Sequence, residues 1–71
     1  MSERERKQFL QEFDETQKQI RAMQKRLNKN PSLLKDANFQ DQRTRLFYKS
    51  YCIDCTLRGE WAVSYKVYLA G

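Results

Sequence analysis

Histidine is absent from this sequence of 71 residues, which has only two glycines and one proline. Without histidine the chain lacks the commonest general base and the commonest zinc ligand, which excludes Ser-His-Asp and Cys-His catalytic arrangements. Gly59 and Gly71 lie too far apart to form a glycine-rich phosphate-binding loop. We therefore expect a protein that is not an enzyme and that needs no cofactor.

Long apolar stretches are missing as well. The first residues, Met1 to Lys7, are mostly charged, so they do not resemble the apolar region of a secretory signal. No apolar run approaches the roughly 18 residues that a transmembrane helix requires. The sequence thus predicts a cytoplasmic protein without a membrane partner, in which the two cysteines are reduced thiols.

Length and charge limit the remaining classes. A chain of 71 residues is expected to form one small domain, residues 1–71. Such a domain buries a modest share of its surface and usually gains stability from a disulfide, a metal or a second subunit. The chain has 14 Lys and Arg against 9 Asp and Glu, a net charge of +5. A basic balance of this size attracts nucleic acid and acidic proteins alike, so it does not choose between them.

Residues 2–29 are predicted to form a single long helix. Ser2 followed by Glu5 fits a capping box, in which the two side chains bind free backbone N–H groups at the helix start. Acidic residues concentrate in the first half and basic residues in the second, which suits the helix dipole. Asn30 and Pro31 then end the helix.

One side of this helix is apolar at heptad spacing. Positions 9, 13, 16, 20, 23 and 27 are spaced by 4, 3, 4, 3 and 4 residues, as in a coiled-coil seam. Two interpretations stay open: the seam packs on the rest of the domain, or it pairs with a second chain. If two helices pair, their charge distribution favours the antiparallel arrangement. The seam consists of Phe9, Phe13, Ile20, Met23 and Leu27, with Thr16 between them.

The C-terminal third alternates between large apolar and small or polar residues, the period of a half-buried strand. Arg58-Gly59-Glu60 resembles a hairpin loop, because glycine accepts a positive φ. Folding the chain back at this loop places apolar residues opposite one another on one side. The matched pairs are Leu57 with Trp61, Cys55 with Val63, Ile53 with Tyr65, and Tyr51 with Val67.

The predicted fold is therefore α+β. It comprises the long amphipathic helix, a connector over 30–44 with a short helix near 32–41, and an antiparallel β-hairpin with strands over 45–57 and 61–69. The helix seam is expected to cover the apolar side of the hairpin, with Trp61 and Tyr65 in the core. Two exposed strand edges would remain, and together with the long helix they predict a homodimer.

Cys52 and Cys55 have the spacing of a metal-binding or redox pair. Three interpretations compete: a zinc site completed by a second chain, a redox pair, or two structural residues. Positions three apart in a strand point to opposite sides, so the hairpin favours the structural interpretation and predicts no metal.

A basic ridge on the first helix is the main candidate for a charged contact. No acidic residue occurs between Glu15 and Asp36, so the ridge is either a solvated helix face or a binding site for phosphates or an acidic protein. Tyr48, Tyr68 and Lys66 are expected on the outer side of the hairpin, where they could stack bases. The basic ridge consists of Lys18, Arg21, Lys25, Arg26 and Lys29.

These patterns together predict a small adaptor or regulator, such as an inhibitor or accessory protein, that binds another protein through its helix and hairpin surfaces. The first alternative is a nucleic-acid-binding protein that uses the basic ridge. The second is a zinc-dependent structural module in which two chains share their cysteine pairs.

Overall fold

The computed structural model describes all 71 residues and contains helices only. The fold is all-α, so the predicted α+β fold is wrong in the C-terminal third of the chain, where the hairpin was expected. None of the helices has both the length and the apolar composition that crossing a bilayer requires. The elements are α1 (Glu3–Lys29), a 3-10 helix (Pro31–Lys35), α2 (Ala37–Arg58) and α3 (Tyr65–Ala70).

Local capping signals set the ends of α1. The Ser2 hydroxyl accepts a hydrogen bond from the Glu5 N–H at 3.2 Å, and acidic residues occupy the first turn. At the other end the Asn30 N–H donates to the Arg26 carbonyl at 2.9 Å, after which Pro31 starts the 3-10 helix. The predicted range was 2–29, so the observed helix begins one residue later, at Glu3, and ends at the same residue, Lys29.

The connector is shorter than the predicted 30–44. It consists of Asn30, the 3-10 helix and Asp36. The Asp36 carboxylate accepts hydrogen bonds from the N–H groups of Asn38 at 2.9 Å and Phe39 at 3.2 Å. These bonds cap α2, which starts at Ala37. The short helix predicted near 32–41 thus spans the boundary between two separate elements.

The predicted β-hairpin over 45–57 and 61–69 is absent, because Gly59 ends a helix and does not turn between strands. Its φ of 73° and ψ of 24° are left-handed, a conformation that glycine adopts readily. The Gly59 N–H donates to the Thr56 carbonyl at 3.2 Å and the Glu60 N–H to the Cys55 carbonyl at 2.8 Å. This pair of bonds is the Schellman motif. Because the chain contains no strand, it has none of the strand edges through which the sequence predicted that two copies would pair.

Helices α1 and α2 pack antiparallel. Gln17 Nε2 donates to Ser50 Oγ at 2.6 Å, and Arg43 Nη2 donates to Gln24 Oε1 at 3.1 Å, so later residues of α1 lie beside earlier ones of α2. Near the connector, a buried apolar core joins the two helices. That core contains Met23, Leu27 and Phe39, with Leu33 and Leu46 packed against it.

Helix α2 is covered on two opposite sides. Ile53 and Cys55 are both buried, although residues two apart in a helix point about 200° away from each other. Ile53 lies one turn after Ser50, which binds Gln17 of α1, so its side faces α1. Cys55 lies two turns after Tyr48, whose ring packs on Tyr65, so its side faces residues 59–71. Burial on both sides produces alternating apolar residues, and this explains why the segment resembles a strand.

The molecule is thin for its length. Its extents are 43 × 25 × 14 Å and its radius of gyration is 14.0 Å, whereas a compact chain of this length has about 11 Å. Only six of the 71 residues are buried. The accessible surface is 5689 Å², whereas a compact monomer of this mass exposes about 4,700 Å². The helices therefore lie largely in one layer, with much of each helix open to solvent.

Candidate protein-binding surface

All four tyrosines meet between α2 and α3, and we call them the tyrosine cluster. The Tyr48 ring centroid lies 5.1 Å from that of Tyr65 and 5.3 Å from that of Tyr68. Tyr51 stacks on Tyr68 at 5.4 Å. Since such aromatic pairs contribute about 0.5–1.5 kcal/mol beyond their buried area, the cluster fixes α3 to the outer side of α2.

The tyrosine cluster also holds the loop between α2 and α3. The Tyr48 hydroxyl donates to the Val63 carbonyl at 2.6 Å, and the Tyr51 hydroxyl accepts from the Val63 N–H at 3.2 Å. Both backbone polar groups of Val63 are therefore bound by side chains. Together with the Gly59 cap before it and the Ser64 cap of α3 after it, this clamp holds the loop at three points.

The pKa of Tyr48 is raised above its ordinary value of 10.0, chiefly by a hydrogen bond with the Cys52 side chain. Burial adds to the increase, as do the charges of Cys52, Tyr51 and Cys55 when these groups ionise. Because the pKa is higher in the folded state, the interactions of the neutral Tyr48 hydroxyl stabilise the fold fully below pH 10, and this stabilisation is lost as pH rises through the raised pKa.

Raising the pH above 10 should therefore release the loop, because an ionised Tyr48 can no longer donate to Val63. The anisotropy of Trp61 emission measures the release, since Trp61 is the only tryptophan and lies in this loop. Anisotropy is expected to fall above pH 10 in the wild type and to be low at neutral pH in Tyr48→Phe. An unchanged anisotropy throughout, with helical circular dichroism retained, would contradict the clamp.

Trp61 lies on this loop with 97% of its surface exposed. Beside it is an open cleft of about 460 Å³, and we call the ring and the cleft the Trp61 surface. Val67 and Leu69, farther along the segment, are also exposed. The exposed indole beside the cleft is the candidate contact, because tryptophan is enriched among the residues that contribute most to protein interfaces. The cleft is lined by Cys52, Thr56, Gly59, Glu60, Trp61 and Ala62.

Arg58 pairs with two carboxylates next to the cleft. The Arg58 guanidinium lies 3.0 Å from the Asp54 carboxylate and 3.4 Å from that of Glu60. The pKa of Arg58 is raised by Asp54 first and then by Glu60. Because one cation is shared by two anions, the three side chains carry a net charge of −1, and this edge of the Trp61 surface disfavours a phosphate.

The basic ridge lies on α1, while the Trp61 surface lies beyond α2. All five ridge residues are exposed. Lys18 pairs with Asp14 at 3.3 Å, and the Arg26 guanidinium lies over the Phe39 ring at 5.5 Å. The other members, Arg21, Lys25 and Lys29, form no ion pair. The structure thus leaves three of the five cations free on this face.

The predicted base-stacking face around Tyr48, Tyr68 and Lys66 does not exist. Lys66 is exposed on α3, but Tyr48 and Tyr68 are half-buried and pack edge to face against each other. Their ring faces are occupied by other members of the tyrosine cluster, because the strand that would have displayed them is a helix.

The heptad seam of α1 is divided between the core and the surface. Met23 and Leu27 are buried against Phe39, whereas Phe9, Phe13 and Ile20 are only half-buried. Thr16 is the most deeply buried residue of the seam, and its hydroxyl donates to the Glu12 carbonyl at 2.8 Å.

Cys52 and Cys55 do not point to opposite sides, as the predicted strand required, because they belong to helix α2. In a helix, residues three apart lie on the same side, so Cys52 and Cys55 are neighbours on the outer side of α2. Cys55 is buried and Cys52 lines the cleft. No group of three or more potential ligands surrounds them, so a zinc site would need a second chain.

The sequence also misplaced Trp61, which was expected in the core and is almost fully exposed. The residue that could have predicted the exposure of Trp61 is Ser64, whose hydroxyl caps α3 by accepting a hydrogen bond from the Val67 N–H at 3.3 Å. A serine cap after Gly59 separates residues 60–63 as a loop.

Comparison of the chain with models of protein families, with curated proteins and with solved structures found no match.

Proposed function

We propose that this protein is a non-catalytic adaptor or regulator that binds another protein through the Trp61 surface. The observation that carries the proposal is an indole ring, 97% exposed, on a loop held at three points. Tryptophan is enriched among the residues that contribute most to protein interfaces. Burying such a ring removes about 150–250 Å² from water, about 4–6 kcal/mol at 25 cal/mol per Å².

The fixed loop favours binding because little ordering remains to be done. A partner that meets a flexible loop must offset the conformational entropy that the loop loses. Here the carbonyl and the N–H group of Val63 are both bound by tyrosine hydroxyls, and the helix ends on each side of the loop are capped. The expected partner has an apolar pocket for the indole and a rim without acidic groups, because the three charges around Arg58 sum to −1. Recruiting or blocking such a partner needs no chemistry from the chain.

We also propose that two copies associate through α1. The thin shape and the six buried residues support this, as does the accessible surface, which exceeds that of a compact monomer. Leu10 is 47% exposed, and Phe13 and Ile20 are half-buried on the same side of α1. The acidic first half and basic second half of α1 favour antiparallel pairing. Exposed ion pairs contribute only about 0.2–1 kcal/mol each, so charge sets the orientation while apolar burial drives association.

The Trp61 surface can be tested with Trp61→Ala beside a matched control, Leu34→Ala. Leu34 is also exposed, at 56%, but lies in the 3-10 helix far along the chain. A partner captured from the native host with the wild type is purified and titrated against all three proteins. Trp61→Ala is expected to weaken binding about 30-fold or more, about 2 kcal/mol, with unchanged circular dichroism. Leu34→Ala should bind normally, and wild-type emission should shift to the blue on binding.

Retained affinity in Trp61→Ala would show that another surface makes the contact. Nucleic-acid binding by the basic ridge would be favoured by two results together. The captured material would disappear after nuclease treatment, and a Lys25→Glu, Arg26→Glu double variant would no longer bind it. A steep loss of that binding with added salt would accompany it. One zinc ion per two chains in elemental analysis would favour the shared metal site instead.

A further inference from the structure

We propose that Cys52 and Cys55 form a redox-active dithiol, which exchanges with small-molecule disulfides and on oxidation loosens the loop that carries Trp61. The exchange chemistry is independent of the proposed function. Only its consequence, control of the Trp61 surface, rests on that function.

The positions of the two cysteines permit an intrachain disulfide with local distortion. From the rise and radius of an α-helix, the Cα atoms of residues three apart are about 5 Å apart, inside the 4.4–6.8 Å range of disulfides. Their Cβ atoms lie about 5–6 Å apart, whereas a disulfide needs about 3.5–4.5 Å. The bond can therefore form only if the last turns of α2 tighten by roughly 1 Å.

The two thiols differ in accessibility in the way that a two-step exchange requires. Cys52 lines the open cleft, so a small disulfide can reach it. Cys55 is only 2% exposed, which protects it from external reagents but leaves it beside Cys52. Arg58 Nη2 lies 4.0 Å from Cys55 Sγ and can donate to that sulfur when it is charged. Cys52 is thus the attacking residue and Cys55 the resolving one.

The exchange balances with a low-molecular-weight disulfide, R–S–S–R, as the oxidant. The Cys52 thiolate attacks one sulfur, the S–S bond breaks, and R–S⁻ leaves with the electron pair and takes a proton from water. The Cys55 thiolate then attacks the Cys52 sulfur and displaces the second R–S⁻. The two cysteines release their protons to water and lose two electrons, and these reduce the external disulfide to two thiols.

The distorted turn is the one to which the loop is attached. The Cys55 carbonyl accepts from the Glu60 N–H at 2.8 Å, and the Thr56 carbonyl accepts from the Gly59 N–H at 3.2 Å. The Thr56 hydroxyl in turn donates to the Cys52 carbonyl at 2.9 Å. Moving these acceptors removes the first of the three points that hold the loop. A strained disulfide is also easily reduced, so the change is reversible.

The test treats the chain of 71 residues with oxidised glutathione and follows mass, free thiols and Trp61 anisotropy. The wild type should lose two hydrogen atoms in mass and both free thiols, and its anisotropy should fall and recover with dithiothreitol. Cys52→Ser should react far more slowly. Cys55→Ser should stop at a mixed disulfide that carries one glutathione, because it lacks the resolving thiol.

Wild-type protein that keeps both thiols, or that forms only disulfides between chains, would overturn the dithiol proposal. An intrachain disulfide that leaves Trp61 anisotropy unchanged would overturn the link to the loop. None of these measurements involves the partner. Retained partner binding in Trp61→Ala would therefore defeat the proposed function and leave the exchange chemistry standing.

Discussion

Replacing Phe39 with alanine is expected to leave most of the protein unfolded at room temperature. Phe39 is 4% exposed and completes the core with Met23 and Leu27. Removing a buried phenylalanine side chain costs about 3–5 kcal/mol, and the core of a domain this small rarely supplies more than about 3–5 kcal/mol in total. The variant also loses the ring that lies under the Arg26 guanidinium. Far-UV circular dichroism and thermal melting measure the effect.

Phe47→Ala is a matched control for this change. Phe47 lies on the same helix and also has an arginine over its ring, Arg43 at 5.2 Å, but it is 37% exposed. The two variants therefore differ mainly in the burial of the ring that is removed. Phe47→Ala should melt cooperatively only a few degrees below the wild type. Equal losses in the two variants would show that the Met23–Leu27–Phe39 core does not hold the helices together.

Ile20→Asp is expected to abolish self-association and to destabilise each chain. Ile20 lies in the seam between Thr16 and Met23, which are both buried, so aspartate would bring an unpaired carboxylate to the edge of the core. If two copies pair through α1, the same carboxylate would enter the interface. Circular dichroism detects the loss of helix, and sedimentation detects the loss of the dimer.

The adjacent substitution Arg21→Asp separates the effect of burial from that of charge. Arg21 is exposed and belongs to the basic ridge, so this variant also gains an acidic group while the seam stays intact. It should keep the wild-type helix content and mass in solution. If Ile20→Asp shows unchanged circular dichroism and mass, the seam is not buried, and a wild-type protein that sediments as a monomer would disprove the dimer.

The first helix could be predicted because its local signals agree. Ser2, the order of the charges and Pro31 all indicate the same boundaries, and none depends on distant residues. The start of α2 was within reach as well, since Asp36 is a strong cap. The continuation of α2 through 45–57 could not be predicted, because the contacts that bury its second side come from residues 59–71. The apolar period identifies a helix or a strand only when one side of the element is buried, and α2 has two buried sides.

The candidate surface was missed for the same reason. Gly59 fits a hairpin turn and a helix end equally well, and the choice between them decides where Trp61 points. In a strand paired with Leu57 the indole would enter the core, whereas in a loop after a capped helix it faces solvent. The relation of Cys52 to Cys55 reverses with the same choice. A single ambiguous residue therefore determined the interpretation of the C-terminal third of the chain.

The two-sided burial of α2 has a consequence for how freely the sequence can change. A substitution at an exposed position of α1 without an ion pair, such as Arg21 or Lys25, meets solvent, and one at the loop tip alters recognition without disturbing the helices. Along α2, by contrast, Phe39 and Ile53 pack towards α1, while Tyr48 and Cys55 support the C-terminal segment. Mutational tolerance should therefore be narrowest in the middle element of the chain and broadest along the exposed sides of the elements around it.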